Sequence, residues 1–228
     1  FVEGMVARFV NASTFDGFNP YRITRDGIEW VVPTPEDPWS TIGYWGDHQV
    51  AYLARLLEQS IRVHPGGLAG LLDQAVFSYA DVPYRIAPYA ALVKDPWNTI
   101  AFDSERDRRC RARAEELGAD GQLLPRHDGA VLHVTLAEKL LVPALSKLSN
   151  LVPDGGIWMN TQRPEWNDAN NALVGLGLSV VTACHLHRYL KVLRELFASD
   201  GGDLCLSLEV AEWLRALGQI FEEAGEPE

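Results

Sequence analysis

Arg163-Pro164-Glu165-Trp166-Asn167-Asp168-Ala169-Asn170-Asn171 sets two carboxylates, three amides and an indole directly ahead of a long apolar run that begins at Leu173. Crowded polar groups beside an indole are the composition of a ligand site, not of a core. The run behind them predicts a helix over residues 169–198. From Leu173 to Leu186 apolar and small residues, Gly175, Gly177, Ala183 and Cys184 among them, occur nearly all round, as expected of a helix packed on several sides. From Arg188 the pattern becomes one-sided, with Tyr189, Leu190, Leu193, Leu196 and Phe197 against Arg188, Lys191, Arg194 and Glu195. Polar groups over the end of an inner helix are expected at a pocket within a helical barrel. A solvated loop has the same composition. Asp168 also suits an N-cap, where a carboxylate accepts a bond from a free first-turn amide and favours the positive end of the helix dipole. Glu165 has no such structural duty.

A second stretch has the same build. Asp37-Pro38-Trp39-Ser40-Thr41-Ile42-Gly43-Tyr44-Trp45-Gly46-Asp47-His48-Gln49 again runs aromatics and polar groups into a helix start. The helix that follows carries one apolar stripe, Val50, Leu53, Ala54, Leu57 and Ile61, and is stopped by His64-Pro65-Gly66-Gly67. Asp47 lies three and seven residues before Val50 and Ala54, so it extends the stripe towards the helix end and is expected to point inward. An acid on the helix dipole is the plain alternative for Asp47, and a satisfied structural histidine the plain one for His48.

Working outward, Val, Phe and Met content predicts a strand over residues 2–10, and residues 1–44 form a loop-rich entry segment with a short strand at Ile28–Val32. Further helices are expected at about 68–75, 87–94, 104–118, 132–148 and 206–223. The chain also repeats itself. Pro20-Tyr21-Arg22-Ile23 followed by Asp37-Pro38-Trp39-Ser40-Thr41-Ile42 is echoed by Pro83-Tyr84-Arg85-Ile86 followed by Asp95-Pro96-Trp97-Asn98-Thr99-Ile100. The physical content is a turn-forming Asp-Pro that presents a Trp, whose plain use is to pack that Trp. Two short words do not make a solenoid.

Composition bounds the ligand. The 228 residues are 47% hydrophobic, long enough for one large globular domain or two small ones. A net charge of −11 disfavours a nucleic-acid partner, since phosphate binding needs a basic surface. Seven Trp, seven Tyr and eight Phe, many beside Asp, Asn and Pro, suit stacking on a flat uncharged ligand such as a sugar ring, although buried aromatics are the commoner use. Cys110, Cys184 and Cys205 are far apart and outside any CxxC spacing, so they are expected to be small buried or half-buried residues, in neither a disulfide framework nor a zinc site. His185 and His187 are two apart and diverge by about 200° on a helix, which rules out chelation of one metal. The dense charges of Ser104–Glu116 read as a solvated helix face with local ion pairs. No GxSxG, P-loop, dinucleotide fingerprint or HExxH occurs, so no cofactor is expected. No apolar run reaches the roughly 18 residues of a membrane helix and no signal peptide is visible, so a soluble, cytoplasmic protein is the expectation. A chain opening on Phe1 is expected to be processed or part of a longer one, in which an upstream segment carried any targeting signal.

Pro164 to Asn171 resembles the acid-Trp-Asn-Asp signature of the cellobiose phosphorylase family and, more loosely, motifs of other glycosidases with (α/α)6 barrels. Gly43–Gln49 is weakly similar to the Trp-Gly-acid stretches at the rim of glycogen-debranching and related helical-barrel enzymes. The resemblance implies a mainly α fold, part of an (α/α) helical barrel or toroid, with long aromatic loops and a short N-terminal strand. The complete barrel needs far more than 228 residues, so residues 1–228 would form one α-helical domain within it, alongside other parts of the same polypeptide. It implies Glu165 as general acid, where the phosphorylases have Asp, and Asp168 as the second acid that holds the site or the sugar. No phosphate-binding element is identifiable, which favours hydrolysis over phosphorolysis. Asp47 is then the candidate base, since cleavage needs one protonated carboxyl and one carboxylate. Trp39, Tyr44, Trp45, His48, Arg163, Trp166, Asn167, Asp168, Asn170 and Asn171 are the candidate substrate-binding residues for an oligosaccharide or glycoside. The alternative is a non-catalytic carbohydrate-binding or structural helical domain.

Overall fold

A computed structural model describes residues 1–19, 22–24, 26–36, 47–160, 174–201 and 203–225; for residues 22, 23, 47, 48, 199 and 200 only the backbone is described. The fold is mainly α. Seven α-helices occur among the described residues: α1 (Val2–Asn11), α2 (Asp47–Val63), α3 (Tyr89–Lys94), α4 (Ser104–Leu117), α5 (Leu136–Leu148), α6 (Val180–Asp200) and α7 (Leu208–Gly225). Short antiparallel strands join them: β1 (Arg22–Thr24) with β2 (Gly27–Glu29), β3 (Tyr84–Ile86) with β4 (Ile100–Phe102), and β5 (Leu151–Val152), β6 (Gly156–Trp158) and β7 (Leu178–Ser179) in one small sheet. Among the described residues the helices do not close into a barrel.

The N-terminal segment is helical where a strand was expected. Alternation would place Arg8 on one face with Val6, whereas helical spacing buries Val6 and Val10 together and lets Arg8 donate to the Thr24 carbonyl at 2.9 Å. β-branched content favoured a strand; spacing decides. Within the expected 68–75 helix only a 3-10 turn at Ala69–Leu71 forms, and residues 132–134 are extended, so α5 starts at Leu136 with Thr135 as its cap.

The long helix expected over 169–198 begins only at Val180, where Ser179 accepts from the Thr182 amide at 3.1 Å. Asp168 is therefore not its N-cap. The reason is Gly175, whose positive φ of 74° makes a turn and whose missing side chain lets the backbone pass Pro96. Nor is the first half of the expected helix interior: Leu176, ahead of α6, and Val180 and Val181, at its start, are exposed. The buried helix is α5, in which every residue from Leu136 to Lys147 except Leu141 is buried.

Helix directions follow from side-chain pairs. Glu58 of α2 holds Arg188 of α6 through both carboxylate oxygens, at 2.6 and 2.5 Å, and further along both helices Ile61 and His64 share a recess with Glu195 and Leu196. So α2 and α6 run in the same direction. Tyr189 of α6 donates to the Leu140 carbonyl of α5 at 2.7 Å, and the C-terminal end of α5 leads through β5 and β6 to β7, immediately before α6. Those two helices run in opposite directions. The α2 stripe behaves as its spacing requires, with Val50, Leu53, Ala54 and Leu57 buried in the principal core beside Leu140, Leu145, Leu186 and Tyr189.

A smaller core forms around α4. Trp30, Ile28 and Phe18 meet Ala80, Val82, Tyr84 and Cys110. The charged face of α4 is solvated on one side only. Arg109–Glu105 and Arg111–Asp107 are the expected i,i+4 pairs, but Arg106 and Arg113 both turn inward to Asp81, which is 5% exposed at its side chain. Asp107 also accepts from the Trp30 indole at 2.6 Å, so the helix is tied to both neighbours.

Candidate functional site

Most of the residues that the sequence marks as a site lie outside the described residues: Trp39, Tyr44, Trp45, Arg163, Glu165, Trp166, Asn167, Asp168, Asn170 and Asn171. Asp47 and His48 are the first two residues of α2, with only their backbone described. The surroundings of both motifs are described in detail.

The residues on either side of 161–173 are fastened to one another. Met159 donates its amide to the Gly177 carbonyl at 3.1 Å, and Gly175 donates back to the Met159 carbonyl at 2.6 Å. The Trp158 indole donates to the Gly175 carbonyl at 3.1 Å, and Asn160, 8% exposed, donates to Asn150 Oδ1 at 2.9 Å. Asn160 and Val174 therefore form a closed base for the intervening residues.

The second copy of the repeat packs against that base. β3 and β4 pair Ile86 with Ile100, Asp95 Oδ1 accepts from the Trp97 amide at 3.2 Å, and Pro96 abuts Gly175. The first word of the repeat contributes a hairpin strand in both copies, β1 and β3, a role that turn propensity alone did not reveal. Trp97 is not packed, as a structural turn would have it, but 52% exposed. Tyr89 meets Trp158 edge-to-face at 6.1 Å, so one aromatic pair flanks the base.

Because α2 and α6 run in the same direction, the start of α2 at Asp47 lies at the same end of the helix pair as Gly177–Ser179 and the closed base. Gln49, in the first turn of α2, is 1% exposed, and among the described residues neither its Oε1 nor its Nε2 has a hydrogen-bond partner. A buried amide left open forfeits about 1–3 kcal/mol, so it calls for a functional explanation. The sequence contained the signal, since Gln49 closes the Asp37–Gln49 stretch, but its value shows only with the burial.

Sequence reasoning missed a second constellation, on α5. Glu138, 2% exposed, accepts from the Tyr79 hydroxyl at 2.8 Å and from the Ser207 amide at 2.6 Å. Burial, reinforced by Glu138, raises the Tyr79 phenol above its ordinary range, which keeps it a donor. Lys139, fully buried, stands 3.7 Å from the centroid of the Tyr79 ring and donates to the Ser13 carbonyl at 3.1 Å. Burial drives its ammonium well below the usual lysine value, with Glu138 opposing. Lys147 lies 4.5 Å from the Phe18 ring. Gly17 makes this packing possible: at φ 82° a Cβ would stand 2.8 Å from Ser146 Cβ and 3.0 Å from the Val142 carbonyl.

Beside Glu138 opens a cavity of about 540 Å³ between Asp16, Tyr79 and Trp213. Trp213 is fixed by its indole, which donates to Ser149 Oγ at 2.9 Å. From Glu138 to Ser149 the helix α5 climbs roughly 17 Å, at about 1.5 Å per residue. The cavity runs beside α5, from Glu138 near the start of the helix to Trp213, whose indole is tied to Ser149 at its end.

Among the described residues no three His, Cys, Asp or Glu side chains gather in a group fit to hold a metal ion, and no helix is long and apolar enough to cross a membrane. Cys110 is buried, its thiol pushed up to about 12 by burial and by Asp81; Cys184 and Cys205 are exposed, against the expectation of small buried residues. No protein-family model and no curated protein matches the chain.

Proposed function

We propose that the protein is a carbohydrate-active enzyme, a glycoside hydrolase that cleaves a glycosidic bond with two carboxylates. In this mechanism Glu165 is the general acid that protonates the leaving oxygen. Asp47 is the carboxylate that activates water or attacks the anomeric carbon. Trp166, Trp39, Tyr44 and Trp45 stack on sugar faces; Asp168, Asn167, Asn170, Asn171, Arg163 and His48 hold hydroxyls. Gln49 joins them as a further amide for a hydroxyl. The chemistry needs no cofactor.

One observation carries this proposal: the start of α2, with Asp47, lies at the same end of a parallel helix pair as the fastened ends, Asn160 and Val174, of the stretch that carries Glu165. Parallel neighbouring helices that bring loops to one rim are what the (α/α) barrel implies. The open amide of Gln49 beside that rim adds a polar group in want of a partner.

The test uses the full-length protein and a panel of aryl glycosides and oligosaccharides, with release of reducing sugar as readout. Glu165→Gln and Asp47→Asn are each expected to lower turnover of a responsive glycoside by about 10²–10⁴-fold, the ordinary worth of an acid or base. Near-normal turnover in either variant removes that residue from its role. A panel without a cleaved member, but with an oligosaccharide that binds, would leave a non-catalytic carbohydrate-binding domain.

A further inference from the structure

We propose that the cavity beside Glu138 is a separate binding site for a small organic cation on an apolar body, of the arylalkylammonium class. Its volume of about 540 Å³ falls within the range of small-molecule sites. Its walls are aromatic, from Phe15, Tyr79 and Trp213, and aliphatic, from Leu132, Val134 and Val210. The charged side chains at its edge are all acids: Asp16, Glu138 and Glu209. Among the described residues no basic or amide side chain lines it.

That combination selects for charge. A sugar offers donors and acceptors in equal measure and is held by amides and carboxylates together, whereas this wall offers carboxylates against hydrocarbon. An anion meets three like charges. A neutral apolar molecule fits the walls but gains nothing from the carboxylates of Glu138 and Glu209. A cation with an apolar body satisfies both, since its charge sits among carboxylates and against the faces of Phe15 and Trp213, and its body covers the aliphatic wall. Glu138 is held in place for such a ligand: the Tyr79 hydroxyl and the Ser207 amide fix its two oxygens, each of which retains a lone pair. Lys139 does not compete for the acids, because it donates to the Ser13 carbonyl and stacks on the Tyr79 ring. The site is separate from the glycosidase proposal, since among the described residues its lining holds none of the side chains assigned there.

The experiment titrates benzyltrimethylammonium chloride into the full-length protein, with calorimetry and the NMR signal of the Trp213 indole as readouts. Benzyl alcohol, sodium benzoate and cellobiose serve as comparisons at matched ionic strength. The cation is expected to shift the indole signal and to bind about tenfold or more tightly than the alcohol, with no binding of benzoate. Glu209→Gln, at an exposed position, and Asp16→Asn are both checked for native circular dichroism; at least one is expected to weaken the cation about three- to tenfold. Equal binding of cation and alcohol overturns the proposal, as does unchanged affinity in both variants. So does an indole signal that moves with cellobiose alone or with no added compound.

Discussion

Lys139→Met converts the burial of one amine into a measurable pH slope. The side chain is fully buried, its ammonium held well below the ordinary lysine value by burial, with Glu138 opposing. In the unfolded chain a lysine titrates near about 10.4. Between the lowered folded value and that figure, the unfolded chain binds a proton that the folded protein does not. Stability therefore rises with pH across that window, by up to about 1.4 kcal/mol per unit for one proton. Methionine fills a similar volume and binds no proton, so the variant loses this slope. It also loses the bond to the Ser13 carbonyl, a cost of about 1 kcal/mol without pH dependence, limited because that carbonyl still accepts from the Ala80 amide at 3.0 Å. The Tyr79 and Tyr189 phenols and the Cys110 thiol are raised and act in the opposite sense at alkaline pH, but they do so in both proteins. The assay is urea unfolding of both proteins at several pH values from about 6.5 to about 10. The stability difference, native protein minus variant, is expected to grow with pH. A difference that stays constant across that range refutes the assignment of a depressed lysine.

Asp81→Ala is expected to lower stability by about 3 kcal/mol, because it strands two inward-turned guanidiniums, Arg106 and Arg113, and in a domain of this size that shifts the melting temperature by roughly 6–12 °C. Melting within a degree or two of the native protein would show that water replaces the carboxylate without cost. Thiol titration of the native protein at mildly alkaline pH is expected to modify Cys184 and Cys205 but not Cys110, and full modification only after unfolding. Rapid native modification of Cys110 contradicts its described burial.

What could be read from the sequence depended on whether spacing or composition was used. The α2 stripe was legible because Val50, Leu53, Ala54 and Leu57 recur at helical spacing and all four are buried. The N-terminal helix was lost to composition, since Val and Phe content outweighed the four-residue interval of Val6 and Val10. Gly175 and Gly177 resembled the packing glycines of an inner helix, yet one of them turns the chain and the helix starts after both. Tertiary context hid α5: Glu138, Lys139, Ser146 and Lys147 look like a solvated face, and partners from distant parts of the chain, such as Tyr79 and Ser207 for Glu138 and Ser13 for Lys139, accompany their burial. The two polar motifs were legible as stretches, but the direction of α2 relative to α6 rests on Glu58 and Arg188, far from either. The cavity was not legible, because Phe15, Tyr79, Leu124, Glu138 and Trp213 come from separate parts of the chain.

The most direct test of the glycosidase proposal is the leaving-group dependence of Glu165→Gln in the full-length protein. Turnover of a responsive oligosaccharide and of its 2,4-dinitrophenyl glycoside counterpart would be measured side by side. If Glu165 is the general acid, kcat/KM for the oligosaccharide falls about 10²–10⁴-fold while kcat/KM for the dinitrophenyl substrate, whose leaving group needs no proton, is largely retained. Equal losses on both substrates, or no loss on either, contradict the role.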